Sequence, residues 1–108
     1  TESAFYDCKA MPVESATLIE KVYPNPITNE FVVAVRISDL DKELSKMLRI
    51  YDNLGRLVAQ IDVSIETSGV HFIYLSIDED LKNVLPGQYY MQLQIGSTRS
   101  DRVAIFIL

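Results

Sequence analysis

Tyr51-Asp52-Asn53-Leu54-Gly55-Arg56 is the stretch that most restricts how this chain can fold. Asp52 first and Gly55 fourth fit a type I turn that closes on a left-handed residue, a conformation glycine adopts without a Cβ clash. Apolar residues alternate on both sides of it: Leu48 and Ile50 before, Leu57, Ala59 and Ile61 after. Two period-2 runs joined in this way predict a β-hairpin with a bulge-type loop. Asp52 and Arg56 are accounted for by turn chemistry and solvated charge, and geometry alone asks for no catalytic role there.

The same alternation recurs along the chain. Leu18 to Tyr23 alternates and stops at Pro24-Asn25-Pro26, where two prolines one residue apart predict a rigid corner. Phe31, Val33, Val35 and Ile37 share one face of a strand, with Val32, Ala34 and Arg36 on the other. Ser38 to Lys46 is charged and reads as a surface connection with room for one helical turn. Met47–Tyr51 and Arg56–Val63 are the arms of the hairpin, and Ser68-Gly69 turns the chain into a strand from His71 to Ile77. The acidic run Asp78-Glu79-Asp80 and then Pro86-Gly87 separate it from Gln88–Ile95, whose Tyr89, Met91, Leu93 and Ile95 face inward. After a polar turn from Gly96 to Asp101, Arg102 to Leu108 forms the last strand. Seven short strands with turn signals between them predict an all-β, seven-stranded immunoglobulin-like β-sandwich.

At 108 residues the chain suits one domain with one core. A formal charge of −5 without a basic stripe argues against nucleic acid and anionic membrane as partners. No apolar run approaches spanning length, so no membrane insertion is expected. Residues 1 to 17 lack periodicity and read as a linker or the tail of a preceding region. Phe5-Tyr6-Asp7-Cys8 is a short apolar patch within them, able to pack on its own domain or on a neighbouring copy. Cys8, the single cysteine, excludes an internal disulfide and reads as a buried small hydrophobe.

Candidate chemistry is sparse. His71 is the only histidine, which leaves neither a histidine-based metal site nor a catalytic pair with a spare imidazole. Asp78, Glu79 and Asp80 lack the alternating ligands and turn glycine of a calcium loop, so a solvated acidic loop is the better reading. A small sandwich offers little concavity for converging carboxylates, and no glycine-rich phosphate loop is present. The chain is therefore expected to be no enzyme and to need no cofactor.

Three stretches in order carry a family resemblance: Val22-Tyr23-Pro24-Asn25-Pro26, Leu48 to Val58 around the Tyr51-Asp52…Gly55-Arg56 turn, and Leu85-Pro86-Gly87-Gln88-Tyr89. Their spacing resembles the type A C-terminal sorting domain of the Por, or type IX, secretion system of Bacteroidetes, over about residues 21 to 108. The preceding residues 1 to 20 would then be linker. The resemblance implies an immunoglobulin-like, non-catalytic signal domain on secreted cargo. It also implies recognition by the outer-membrane translocon after periplasmic transit, removal by a sortase-type peptidase, and a cargo left at the outer-membrane surface or secreted.

Members of that family often place a lysine before the final hydrophobic residues, and here Arg102 takes that place. Arg102, Phe106, Ile107 and Leu108 are accordingly the expected receptor-reading residues. The last strand is apolar on both faces, and its backbone groups, if open, suit docking by strand addition. Exposed sheet edges, or the N-terminal segment, also allow pairing between copies. The competing reading is a carbohydrate-binding or structural accessory module, with Phe72, Tyr74 and Tyr90 on a shared outward face and no tryptophan to help them.

Overall fold

A computed structural model describes residues 16–108, which form two antiparallel sheets packed face to face. Eight strands follow in order: β1 (Leu18–Tyr23), β2 (Glu30–Ile37), β3 (Lys46–Tyr51), β4 (Leu57–Val63), β5 (Gly69–Ser76), β6 (Gly87–Ile95), β7 (Thr98–Arg99) and β8 (Val103–Ile107). The smaller sheet has the order β1-β2-β5. The larger has β4-β3-β6, and β7 and β8 pair with successive parts of the far edge of β6. The seven expected strands are all present. The additional one is β7, two residues long, in the stretch expected to be only a polar turn. An arm that short is invisible to an alternation test.

The alternation places the core where it was expected. Phe31, Val33, Val35 and Ile37 from β2 meet Leu48 and Ile50 from β3 and Met91 and Leu93 from β6, all nearly or fully buried. Ile105 and Ile107 of β8 join the same cluster. Each such side chain contributes about 1.5–3 kcal/mol of burial. The period-2 pattern therefore fixes register as well as strand identity, because a slip of one residue would expose a whole row.

Two connections differ from the sequence-based expectation. The acidic run is the first turn of a four-residue helix, α1 (Ile77–Asp80), rather than a loop. Ser76 caps it, its hydroxyl accepting from the Glu79 N–H at 3.2 Å, while Asp80 accepts from the Ser76 N–H at 2.9 Å. Acidic side chains are favoured at that end of a helix. The connection from Ser38 to Lys46 is not wholly a surface segment either, for Ser38 and Lys46 are both 5% exposed. The Lys46 side chain lies on the core-facing side of β3. Its Nζ donates to the carbonyls of Lys42, Leu44 and Ile65 at 2.8, 2.7 and 2.8 Å.

β1 is hydrogen-bonded into the smaller sheet from Leu18 onward, and Thr17 Oγ1 accepts from the Ser38 N–H. The Phe5–Cys8 patch and most of the expected linker lie outside the described residues.

Candidate functional site

The turn between β3 and β4 is built on one carboxylate. Asp52 Oδ1 accepts from the N–H groups of Leu54 and Arg56, both at 2.9 Å, and Oδ2 accepts from Arg56 Nε at 2.8 Å. The Gly55 N–H closes onto the Asp52 carbonyl, and Gly55 takes φ +83°, where a Cβ would be strained. A register shift opposite Ile50 and Tyr51 supplies the bulge. The Arg56 N–H first, and then the Arg56 guanidinium, hold the Asp52 carboxyl below its ordinary value of 3.8.

A carboxyl depressed in the folded state stabilises the fold above its unfolded pKa and loses that contribution as pH falls through the folded value. The stability advantage of the native chain over Asp52→Asn should thus be complete at neutral pH. It should shrink from about pH 5 downward and vanish below the folded value. Denaturant melts of both proteins at several pH values check this, and an advantage that does not change between neutral and strongly acidic pH would contradict it.

Tyr51 lies on the outer face of the larger sheet yet is only 7% exposed. The Arg102 guanidinium covers its ring at 5.0 Å, the Arg49 guanidinium lies at 5.9 Å, and Arg49 Nε donates to its hydroxyl at 2.9 Å. Such stacking lets an exposed arginine shield an aromatic ring. At the start of β6, Gly87 takes φ +151°, and Tyr89 turns back to donate its hydroxyl to the Leu85 carbonyl at 2.6 Å.

The Pro24-Asn25-Pro26 corner, in which both X–Pro peptides are cis, runs along the outer edge of β8. Asn25 Oδ1 accepts from the Phe106 N–H at 2.9 Å, and its Nδ2 donates to the Ala104 carbonyl at 3.1 Å. Ile27 continues the seal. Its N–H donates to the Phe106 carbonyl at 2.7 Å, and its carbonyl accepts from the Leu108 N–H at 2.9 Å. The backbone of the last strand is therefore closed rather than open for strand addition. Pro24, Asn25 and Pro26 are exposed, and Tyr23 lies beneath the Lys21 ammonium at 5.0 Å.

Of the four residues expected to read a receptor, Arg102, Phe106 and Leu108 are exposed, the last two at 43% and 68%. Ile107 is not available for contact, because it points into the core and is 4% exposed. Phe72, Tyr74 and Tyr90 do not share a face: the first two belong to β5 in the smaller sheet and Tyr90 to β6 in the larger.

The order Tyr23-Pro24-Asn25-Pro26, hairpin turn, Gly87-Gln88-Tyr89 thus coincides with three fixed corners of one sandwich. Residues 21–106 match the family model described as the secretion system C-terminal sorting domain. The chain belongs to that family. No curated protein and no solved structure matches it. A sorting domain of the type IX system works with the secretion machinery and marks cargo for the cell surface or for release. Families of this kind are generally non-catalytic. Among the described residues, no helix of the sorting domain is long and apolar enough to cross a membrane.

Proposed function

We propose that this sandwich is a non-catalytic export signal, read by the outer-membrane translocon of the type IX system after its cargo has reached the periplasm. Family membership over residues 21–106 is the observation that carries this reading. The folded unit runs from β1 to Leu108, and the preceding residues link it to the cargo. A sortase-type peptidase removes the domain ahead of Leu18, because from that residue the backbone is paired with β2 and closed to a peptidase. Arg102, Phe106 and Leu108 supply the surface that the translocon reads, a charge and two apolar side chains beside a sealed edge.

The test fuses residues 1–108 behind a reporter that carries its own signal peptide, in a Bacteroidetes host with and without a working type IX translocon. The reporter should reach the surface or medium only in the first host, with a mass showing loss of the domain. Equal release from both hosts, or retention in both, would overturn the proposal.

A further inference from the structure

Sheet edges expose rows of unpaired backbone groups, and stable proteins blunt them with charges, bulges, short strands or covering segments. Three of the four edges here are blunted. β1 carries Glu20 and Lys21 at a register shift, and β4 carries a bulge and Asp62. The far edge of the larger sheet is the two-residue β7 together with β8, which Asn25 and Ile27 seal. The fourth edge is β5. It is eight residues of Gly-Val-His-Phe-Ile-Tyr-Leu-Ser, without Asp, Glu, Lys, Arg or Pro, and it pairs with β2 with no register shift.

The phase of its hydrogen bonds is set. The Ile77 N–H donates to the Asn29 carbonyl on the β2 side, whereas the Ser76 N–H turns outward to Asp80. Antiparallel ladders alternate, so the N–H and C=O groups of Val70, Phe72 and Tyr74 also face outward. Those groups have no hydrogen-bond partner among the described residues.

The surface beside this edge says what would fill it. Tyr23, Val32 and Tyr74 are direct neighbours across the three strands and wall a groove of about 600 Å³ on the outer face. Glu30, Glu79 and Asp80 stand at its end, and Glu30 and Glu79 have no ion-pair partner among the described residues. A strand added to β5 would extend the Tyr23–Val32–Tyr74 row by one position, about 4.8 Å away. Its residue opposite Tyr74 would share that outer face. From there a lysine or arginine side chain reaches across the tyrosine ring to the carboxylates, combining cation–π and ionic attraction. A second copy fits less well, since antiparallel β5–β5 pairing centred on Phe72 sets Val70, not a cation, opposite Tyr74.

From this we infer that the β5 edge and its groove form a second docking site, which takes an extended polypeptide segment by antiparallel strand addition. The segment carries a cationic side chain opposite Tyr74. The site lies in the sheet opposite β8; Pro24 joins its wall to the corner that seals β8, but it uses none of Arg102, Phe106 and Leu108, so its failure would leave the sorting reading intact.

The probe is a capped seven-residue peptide, Thr-Lys-Thr-Val-Thr-Val-Thr, whose near-N-terminal lysine meets Tyr74 in the antiparallel register. It is titrated into the full 108-residue chain while backbone amide shifts and hydrogen exchange are followed. Saturable binding should slow exchange at Val70, Phe72 and Tyr74. Glutamate in place of the lysine should weaken binding about tenfold, and Glu30→Gln with Glu79→Gln should weaken it several-fold; both effects fade with salt.

Phe72→Pro breaks no hydrogen bond to β2, removing only an outward N–H and the exposed ring, and should abolish binding. If that variant unfolds, the carboxylate variants still decide the matter. Equal binding of the lysine and glutamate peptides, or protection at another edge, would overturn the inference. So would slow exchange of the three amides in the chain without peptide, which would mean that the chain itself or a second copy already occupies the edge.

Discussion

Lys46→Met should lower the unfolding free energy by about 3–5 kcal/mol, an effect on the scale of truncating a core residue. The alkyl stem of Lys46 is kept in the variant, so the packing against β3 is nearly unchanged. What is lost is the amine that gathers the carbonyls of Lys42, Leu44 and Ile65. Two of these belong to the β2–β3 connection and the third to the β4–β5 connection, so one cation ties two loops at one end of the sandwich. A buried acceptor that loses its donor costs about 1–3 kcal/mol, and a hydrogen bond to a charged group is worth about 1.5–3. Summing three such bonds in full would overcount, because the loops relax partly toward water. A Tm lower by about 15 °C corresponds to the lower end of the range for a domain of this size. A loss under about 1 kcal/mol would mean that the carbonyls find water at once and that the loops are not tied.

Phe106→Asp should reduce export of a fused cargo to background while moving the melting curve by less than about 1 kcal/mol. Phe106 is 43% exposed and its N–H and C=O are held by Asn25 and Ile27, so the side chain can change without breaking the edge seal. An acidic group there would place a charge in the apolar patch formed with Leu108. Deleting the last two residues is a poorer test, because Ile107 is core and the Leu108 N–H closes on Ile27. Asn25→Ala provides the complementary comparison. It strips two hydrogen bonds from β8, should cost about 1–3 kcal/mol, and should speed amide exchange at Phe106. Undiminished export of a folded Phe106→Asp protein would remove that side chain from the recognition surface.

The sandwich was legible because its strands alternate cleanly, and β2 and β6 predict their own buried faces residue by residue. The hairpin turn was equally legible, since aspartate and glycine at that spacing have one common geometry. What stayed hidden depends on contacts between residues far apart in sequence. Asn25 looked like part of a proline corner, and nothing local says that its amide fits the edge of a strand 79 to 81 residues later. Lys46 carried the signature of a surface charge because its three acceptors are backbone carbonyls, which every sequence has. Tyr51 sits on an outward position, and the arginines that cover it, Arg49 and Arg102, include one that lies far along the chain. That the β5 edge has no partner among the described residues is a negative property, visible only once the other three edges are known.

The seal on β8 also bears on the order in which the chain can assemble. Asn25 and Ile27 are made early, whereas the backbone that Asn25 closes arrives 79 to 81 residues later. Loop-closure entropy delays such distant pairings, and proteins dominated by them fold slowly. β6 likewise lacks its partner along Gly87 to Met91 until β8 exists. A chain interrupted before Val103 thus leaves both a strand edge and the apolar sites for Ile105 and Ile107 unfilled. Closure of both the β6 edge and the core therefore waits on the segment from Val103 to Leu108.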